Sequence, residues 1–483
     1  MSSSPTAADP LGASFAQTAR RRPVAVVSPD AVQVRLAEAS GPETVEHALP
    51  QEVACTAVQV ALPAWGRGRV DLELASGDGA VRLVGVVEDG RCRLEVTGPG
   101  GTTTHASRRG GDAGSPVALA LTLTGTQVTL LTRGGTGEDW TGRARVDLRE
   151  LGRSVPGGAR LVRDPAWLAA LVLRHRGDVR DLLAGRFGQL GLRDLRLVTT
   201  AAGDAWTDPA QPGARWFTAT SAGPGFFATA HTSVWRLDLE DLRLTHTGDL
   251  FFVREGRQDP ATGGPGVYGD HATHLVRDGG SWLVTTSTWG DFDPDEKDAR
   301  VGVVLARTEA DVTSGLHVLA ARPLALPTDG LRSVAVWDSH LVREDDGTWL
   351  VGYVSARKFF EFCPVVAQGP SLDDLSLRAA ATDRRATEGT TLLRTASGWR
   401  VLASDGRDNP RGLRERYPVW DLDLTEVGTL DAPYPTNLPW PTLVPDEDGG
   451  WLVVTFNGTP AGGRVLGYGT HGEVLVLSTR PTR

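Results

Sequence analysis

The chain has 483 residues, 40% of them apolar and 23% charged, which is typical of a globular protein and excludes a disordered one. No run approaches the roughly 18 apolar residues of a membrane-spanning helix. The net charge of −9 argues against a nucleic-acid partner. At about 100–200 residues per domain, the length predicts more than one domain.

The N-terminal segment and the cysteines indicate a cytoplasmic, reduced protein. No apolar stretch follows a basic start, so we expect no secretory signal. Cys55, Cys92 and Cys363 stand far apart without CxxC spacing, which predicts neither a disulfide framework nor a zinc site. Residues 1–22 lack periodicity and are predicted to be a flexible tail.

Composition and patterning predict an all-β protein that begins with a β-sandwich. The chain contains 58 glycines, 30 prolines and 14 tryptophans, a set typical of many turns between strands. Residues 23–205 contain alternating segments such as TAVQVAL and RVDLEL between Gly, Asp and Pro turns. Asp164 and Pro165 are predicted to begin a helix over about residues 164–184. The stretch FGQLGLRDLRLVTT is predicted to close the sandwich, and it resembles the closing strand of concanavalin-like jelly-roll domains.

An internal repeat in the second half predicts a five-bladed β-propeller over residues 206–483. Residues 271–290, 337–357, 387–407 and 438–458 each contain a short apolar strand, an Asp/Gly turn and a Trp-led strand. Their equivalent leucines are Leu275, Leu341, Leu392 and Leu443, at spacings of 66, 51 and 51 residues. Such a spacing holds four short strands, which is one blade. A divergent fifth copy is predicted between residues 215 and 248.

Three acids precede the repeat leucines on consecutive blades: Asp270, Asp338 and Glu388. The first strand of each blade lines the channel, so these carboxyls are predicted to converge there. Converging carboxylates raise one another's pKa, and glycoside hydrolysis needs one protonated and one ionised carboxyl. The alternative is that each acid is a turn residue that accepts backbone N–H groups.

Two of these segments resemble those of the five-bladed propeller glycosidases, family 43 glycoside hydrolases and the related family 32 fructosidases. WDSHLVREDDGTWLVGY is similar to the second-acid segment of family 43, and EGTTLLRTASGWRVLAS to its general-acid segment. The resemblance implies that Glu388 protonates the leaving oxygen, that Asp338 tunes its pKa and that Asp270 activates water. Asp270 stands in GDHATH, where the family has Asp-Pro. Because Asp270 and Glu388 lie two blades apart, inversion of the anomeric centre is predicted.

Several neighbouring side chains are candidates for substrate binding. Histidines beside the acids could contact a sugar or be structural, tryptophans near the channel ends could stack on sugar rings or pack between blades, and arginines could hold a hydroxyl or form salt bridges. The candidates are His271, His340, Trp337, Trp289, Arg357, Arg407 and Trp440. His274 occupies the repeat position of His340, but no spacing typical of a metal site supports a bound ion.

The sequence therefore predicts a glycosidase without cofactor or metal, acting on a small carbohydrate such as an arabinofuranoside, a fructofuranoside or a xyloside. Neither a nucleic acid nor a membrane is expected as a partner. Two alternatives stay open, a non-catalytic carbohydrate-binding propeller and a transglycosylase or phosphorylase on the same fold.

Overall fold

The computed structural model describes residues 9–41, 43–62, 68–107, 111–135, 139–155, 157–258, 263–293, 300–446, 449–459 and 472–479. Strands dominate, and the α-helices among these residues are two short ones, α1 (Gly158–Leu161) and α2 (Pro165–Ala169). Short 3-10 helices lie at Pro10–Gly12, Leu148–Leu151 and Phe227–Thr229. Within the described part of the chain, no helix has the length and apolar character needed to cross a membrane.

The first part of the chain forms two stacked six-stranded sheets. Strand β1 (Ala16–Arg21) precedes them and belongs to another sheet. The strands of the two sheets are β2 (Ala25–Ala39), β3 (Val45–Ala48), β4 (Cys55–Ala61), β5 (Arg69–Ala75), β6 (Arg82–Glu88), β7 (Arg91–Gly98), β8 (Gly101–His105), β9 (Ala118–Thr124), β10 (Gln127–Arg133), β11 (Trp140–Asp147), β12 (Val172–Arg176) and β13 (Val179–Gln189). One sheet has the order β11-β10-β9-β4-β13-β2, and the other β3-β12-β5-β6-β7-β8. The alternating apolar residues of both sheets fill the core between them, so the predicted β-sandwich is confirmed.

The predicted helix over residues 164–184 is wrong beyond its first turn. Asp164 caps α2, its carboxylate accepting the Ala166 N–H at 2.8 Å, but α2 ends at Ala169. The residues that follow form β12 and β13, because their apolar side chains alternate and pair with strands far away in the sequence. Cross-strand pairing here overrides a helical pattern.

The remaining strands belong to the second part of the molecule. They are β14 (Leu192–Leu197), β15 (Thr199–Thr200), β16 (Ala214–Ser221), β17 (His231–Asp238), β18 (Leu244–Arg254), β19 (Val267–Tyr268), β20 (His271–Asp278), β21 (Ser281–Ser287), β22 (Val303–Thr308), β23 (Gly315–Pro323), β24 (Ala335–Arg343), β25 (Trp349–Lys358), β26 (Glu361–Ser371), β27 (Asp374–Ala380), β28 (Thr387–Thr395), β29 (Gly398–Asp405), β30 (Pro418–Trp420), β31 (Glu426–Thr429), β32 (Thr442–Pro445), β33 (Trp451–Asn457) and β34 (Glu473–Ser478).

These strands group into antiparallel runs of four, here called units. The first unit is β14-β16-β17-β18 and the second β20-β21-β22-β23, joined through a parallel contact of β18 with β23. The third is β24-β25-β26-β27, the fourth β28-β29-β30-β31, and the last β32-β33-β34 with β1. An apolar cluster fills the space between each pair of neighbouring units. Strand β14 contacts both β20 and β32, so the inner strands surround one axis and the propeller architecture is confirmed.

The repeat leucines occupy equivalent places. Leu275, Leu341, Leu392 and Leu443 lie on the inner strands and each pairs with a valine of the second strand of its unit. The Trp-led segments are the second strands. Leu197 of β14 pairs with Phe217 in the same way, so it is the leucine of the first unit.

Two other expectations change. The predicted tail is wrong for the described residues 9–22, because β1 pairs with β34 and closes the last unit; residues 1–8 lie outside the described residues. The expected boundary at residue 206 also moves, because β14, assigned to the sandwich from sequence, is the inner strand of the first unit.

Candidate active site

The inner strands of the first four units carry a β-bulge at the same place. Register breaks there in β14, β20, β24 and β28, just before the repeat leucines. Within each break the first unpaired residue has a left-handed backbone: Asp194 (φ 53°), Ala272 (φ 61°), Asp338 (φ 58°) and Gly389 (φ 75°). Bulges re-aim side chains, and non-glycine residues in this conformation cluster at functional sites.

Three carboxyls converge at these bulges, from the first, third and fourth units. Asp194 and Asp338 are buried, with 6% and 3% of their surface exposed, whereas Glu388 is partly exposed. One oxygen of Asp338, Oδ2, is buried without a hydrogen-bond partner. The backbone N–H of Asp338 donates to Ser287 Oγ at 2.9 Å, which attaches this bulge to the second unit.

Burial and mutual repulsion keep protons on this cluster. Burial, followed by the charge of Asp194, raises the pKa of Glu388 to about 8, while Arg193 opposes the shift. Burial, with the charges of Glu388 and Asp194, also raises the pKa of Asp338 well above its usual range, while Arg196 opposes that shift. At neutral pH Glu388 is therefore mostly protonated, as a general acid must be.

Two indole rings flank Glu388. The indole N–H groups of Trp337 and Trp440 are buried without a hydrogen bond of good geometry. Both nevertheless favour the ionised form of Glu388 and so partly oppose the rise of its pKa. Gly389 is required beside them, because its φ is 75° and a Cβ there would overlap the Trp440 ring. The site therefore holds donors that can stabilise the carboxylate left after proton transfer.

Arg196 is buried among the inner strands that carry the carboxyls. It is 1% exposed, and its guanidinium donates to the Thr390 carbonyl and Thr391 Oγ1, both at 3.1 Å, and to the Asp338 carbonyl at 3.3 Å. Its Cζ lies 4.7 Å from the centre of the Trp440 ring. One buried cation thus contacts residues of the third and fourth units and the Trp440 ring before the last unit.

Asp270 stands apart from this cluster and is engaged elsewhere. Its carboxylate pairs with both Nε and Nη2 of Arg254, the Nε contact at 2.8 Å, and accepts the Gly290 N–H at 2.9 Å. Asp270 and Arg254 are both buried, so the pair joins β18 to the start of β20. A carboxylate held in this way supports the alternative, structural interpretation of Asp270 rather than its predicted role as base.

The histidines differ in their positions. His271 lies at a bulge, equivalent to Glu388, and burial lowers its pKa to about 4, so it is neutral. His340 lies deeper and stacks on His274 with ring centres 3.9 Å apart. His274 Nδ1 accepts the Leu341 N–H at 3.1 Å, and His340 Nδ1 the Leu392 N–H at 3.5 Å. His340 therefore joins neighbouring units, contrary to its predicted sugar contact, while His271 stays a candidate.

The other predicted contacts separate into packing and cavity residues. Trp289 is buried in an aromatic cluster, 4.5 Å from Phe227 and 5.4 Å from Trp337 between ring centres. Arg357 donates to the Arg384 carbonyl at 3.0 Å and pairs with Glu361 at 3.2 Å, which is a structural role. Arg407 is exposed and lines a cavity beside the fourth and last units.

The sequence prediction missed Asp194, although a signal for it was present. Asp194 stands three residues before Leu197, just as Asp338 stands three before Leu341. The pattern of FGQLGLRDLRLVTT hides this signal, because it predicts the closing strand of the sandwich. Arg193 and Arg196, on the same strand, were missed for the same reason.

Comparisons with known proteins give only distant similarities. No protein-family model matches the chain, and no curated protein matches its sequence. Solved structures with a similar fold include a glycoside hydrolase at 12% identity (61% of this chain, 92% of that chain, TM-score 0.41). Others are a Bombyx mori GH32 beta-fructofuranosidase at 10% identity (59% and 60%, TM-score 0.41) and a Clostridium thermocellum alpha-L-arabinofuranosidase at 11% (56% and 83%, TM-score 0.35). At this distance the similarity assigns neither a family nor an activity to the chain.

Proposed function

We propose that this protein is a glycoside hydrolase in which Glu388 is the general acid and Asp194 the general base. The observation that carries the proposal is the convergence of three carboxyls from different units, of which Glu388 is partly exposed and has a pKa raised to about 8. Glycoside hydrolysis requires a carboxyl that keeps its proton until it reaches the leaving oxygen, and the raised pKa of Glu388 meets that requirement. A purely sugar-binding protein has no need of this repulsion.

In the proposed reaction Glu388 donates its proton to the glycosidic oxygen as the bond from that oxygen to the anomeric carbon breaks. Asp194 accepts a proton from a water molecule, whose oxygen forms the new bond to the anomeric carbon. Asp338 lies close to both, and the charges of Glu388 and Asp194 help to raise its pKa. The indole N–H groups of Trp337 and Trp440 favour the Glu388 carboxylate once its proton has left.

Asp194 replaces Asp270 as the base because of what each carboxylate contacts. Asp270 is bound by Arg254 and Gly290, whereas the Asp194 charge acts directly on Glu388 and Asp338. Asp194 and Glu388 lie on the inner strands of two units that are separated by the last unit. We expect room for a water molecule between the two carboxyls and therefore inversion, which needs carboxyls roughly 6.5–9.5 Å apart.

The test is a panel of p-nitrophenyl furanosides and pyranosides, with α-L-arabinofuranoside and β-D-xyloside first, as the sequence resemblance suggests. We expect Asp194→Asn to lose at least about 100-fold in kcat on every substrate, as loss of a general base does. Asp270→Asn should lose stability but keep a larger share of activity per folded molecule. Exposed Glu309→Gln and Asp329→Asn are the matched controls. Sugar binding without hydrolysis on the whole panel would instead favour the carbohydrate-binding propeller.

A further inference from the structure

We infer that the cavity lined by Arg407, Asp408, Glu415, Tyr434, Asn437 and Leu438 binds the leaving group, and that this group is a neutral, hydroxylated sugar. The inference rests on the proposed function, since it uses Glu388 as the acid. It specifies the leaving group of the glycoside, which the sequence resemblance to glycosidases does not define.

The cavity lies near Glu388, which is not itself among the residues that line it. Glu388 and Ser404 are directly paired across β28 and β29, so their side chains lie on the same face. Ser404 Oγ lies 2.9 Å from the Tyr434 hydroxyl, and Tyr434 lines a cavity of about 390 Å³ between the fourth and last units. Burial raises the pKa of Tyr434, and the charges of Asp405, Glu388 and Glu415 add to that shift, while the hydrogen bond with Ser404 opposes it.

The position of the cavity defines which part of a glycoside it can hold. A general acid protonates the oxygen of the leaving group, so the leaving group must lie on the side of that acid. The volume lies in the range of small-molecule sites. The cavity therefore has room for a sugar residue placed beside the Glu388 carboxyl.

The lining determines the chemistry of that residue. Arg407, Asp408 and Glu415 are exposed charged side chains, and Tyr434 and Asn437 add a hydroxyl and an amide. These groups match the alternating donors and acceptors of sugar hydroxyls. Two carboxylates against one guanidinium leave a net negative charge, which disfavours a uronic acid or a phosphate in the same place.

The backbone around the cavity is strained. Glu415, Asn437 and Leu438 are non-glycine residues with left-handed backbones, at φ 53°, 69° and 56°. A Cβ on Gly406 would press on the Leu438 side chain, so the two segments approach closely. Asp194 and Asp338 show the same kind of strain, so the carboxyl cluster and the cavity share a feature typical of functional sites.

The test compares leaving groups on one glycone. The pair is xylobiose with p-nitrophenyl β-D-xyloside, or arabinobiose with p-nitrophenyl α-L-arabinofuranoside, whichever glycone the panel identifies. In Asp408→Asn and Glu415→Gln, kcat/KM for the disaccharide should fall about tenfold more than for the aryl glycoside, because nitrophenol offers no hydroxyl donors to a carboxylate. Asp329→Asn and Glu309→Gln should leave the ratio unchanged. Equal losses on both substrates would overturn the inference.

A binding measurement separates this inference from the proposed function. In saturation-transfer NMR, D-xylose should bind the wild-type protein more tightly than D-glucuronate does, and the double variant Asp408→Asn/Glu415→Gln should weaken xylose binding. Tighter binding of glucuronate, or xylose binding unaffected by the double variant, would contradict the inference. If the wild type hydrolyses no glycoside, the proposed function fails, and these binding results still decide whether the cavity takes a neutral sugar.

Discussion

Glu388 is the residue whose protonation decides the proposed reaction. Among the three converging carboxyls it is the one that is partly exposed, and burial with the charge of Asp194 raises its pKa to about 8. Asp338 is buried beside it and responds to the same charges. The active form carries a proton on Glu388, so activity belongs to the pH range below its pKa.

We therefore predict that kcat/KM for glycosides with poor leaving groups falls as pH rises through about 8. The decrease follows because the ionised carboxyl cannot protonate the leaving oxygen. In Glu388→Gln this alkaline limb should disappear, and the loss should be greater for a disaccharide than for an activated aryl glycoside. The measurement is the pH profile of kcat/KM on both substrates. An unchanged alkaline limb in Glu388→Gln would contradict the assignment.

Arg196 is predicted to act on the acids and on stability together. Arg196→Met removes the hydrogen bonds to two buried carbonyls and the positive charge beside Asp338. We expect the free energy of unfolding to fall by about 2–4 kcal/mol, since buried acceptors lose their donors. The pKa of Asp338 should rise further, which shifts the pH profile.

Arg196→Lys separates these two effects. Lysine keeps the charge but not the forked donors, so stability should decrease while the pH profile shifts less than in Arg196→Met. Urea denaturation and the kcat/KM pH profile are the two measurements. If methionine and lysine shift the profile equally, the charge of Arg196 does not tune the site.

At the scale of elements, the bulged inner strands position the site residues, and β1 completes the last unit. The bulges in β14, β20, β24 and β28 place one residue of each unit at the same level of the channel. Strand β1 then joins the start of the chain to β34, with Phe15 and Ala19 buried and Arg20 pairing with Glu473 at 2.6 Å. The last unit is therefore built from both ends of the described chain, a closure that leaves no open sheet edge at β34.

Removal of residues 1–22 should destabilise the propeller. The deletion exposes the edge of β34 and the apolar residues beneath β1, so we expect a lower melting temperature and aggregation. Thermal unfolding and light scattering measure these changes. Deletion of residues 1–8 alone keeps every described contact of β1 and is the control. Equal stability of both shortened chains would show that β1 does not contribute.

At the scale of the whole molecule, a buried charged cluster joins the sandwich to the propeller. His246 of β18 lies between Asp249 (Nε2 to Oδ1, 2.9 Å) and Asp30 of the sandwich (Nδ1 to Oδ1, 3.1 Å). Arg186 of the sandwich donates to Asp249 at 2.6 Å, and His231 contacts the same carboxylate at 3.0 Å. Ser28 and the Trp235 ring complete the surroundings of His246.

These contacts predict that stability depends on the charge of His246. Burial lowers the pKa of His246, but the charges and hydrogen bonds of Asp249 and Asp30 outweigh it and raise the pKa from 6.5 to about 10. Because the pKa of His246 is higher in the folded protein, its charged form stabilises the fold fully below about pH 6.5. This stabilisation is lost as pH rises through about 10. The melting temperature of the wild type should therefore fall across this window, while His246→Gln should be less stable at neutral pH and show a flatter dependence. Parallel curves for the two proteins would contradict this prediction.

The sequence by itself determined the features that depend on local pattern. Alternation identified the strands of the sandwich, and the Trp-led repeat placed Leu275, Leu341, Leu392 and Leu443 on equivalent inner strands. The same repeat located Asp338 and Glu388 at the bulges that the structure brings together. These features are encoded within about fifty residues, so periodicity and turn residues suffice to find them.

Only the tertiary structure decided which partners distant segments choose. An alternating strand looks the same in a sandwich and in a propeller, so the pairing of β14 with β16 and of β1 with β34 could not be predicted from their residues. The difference between Asp194 and Asp270 has the same origin. Each is an acid near an inner strand, but Arg254 reaches Asp270 from another unit, and only the folded chain brings Asp194 beside Glu388. Long-range pairing, which is set by burial and charge in three dimensions, made that choice.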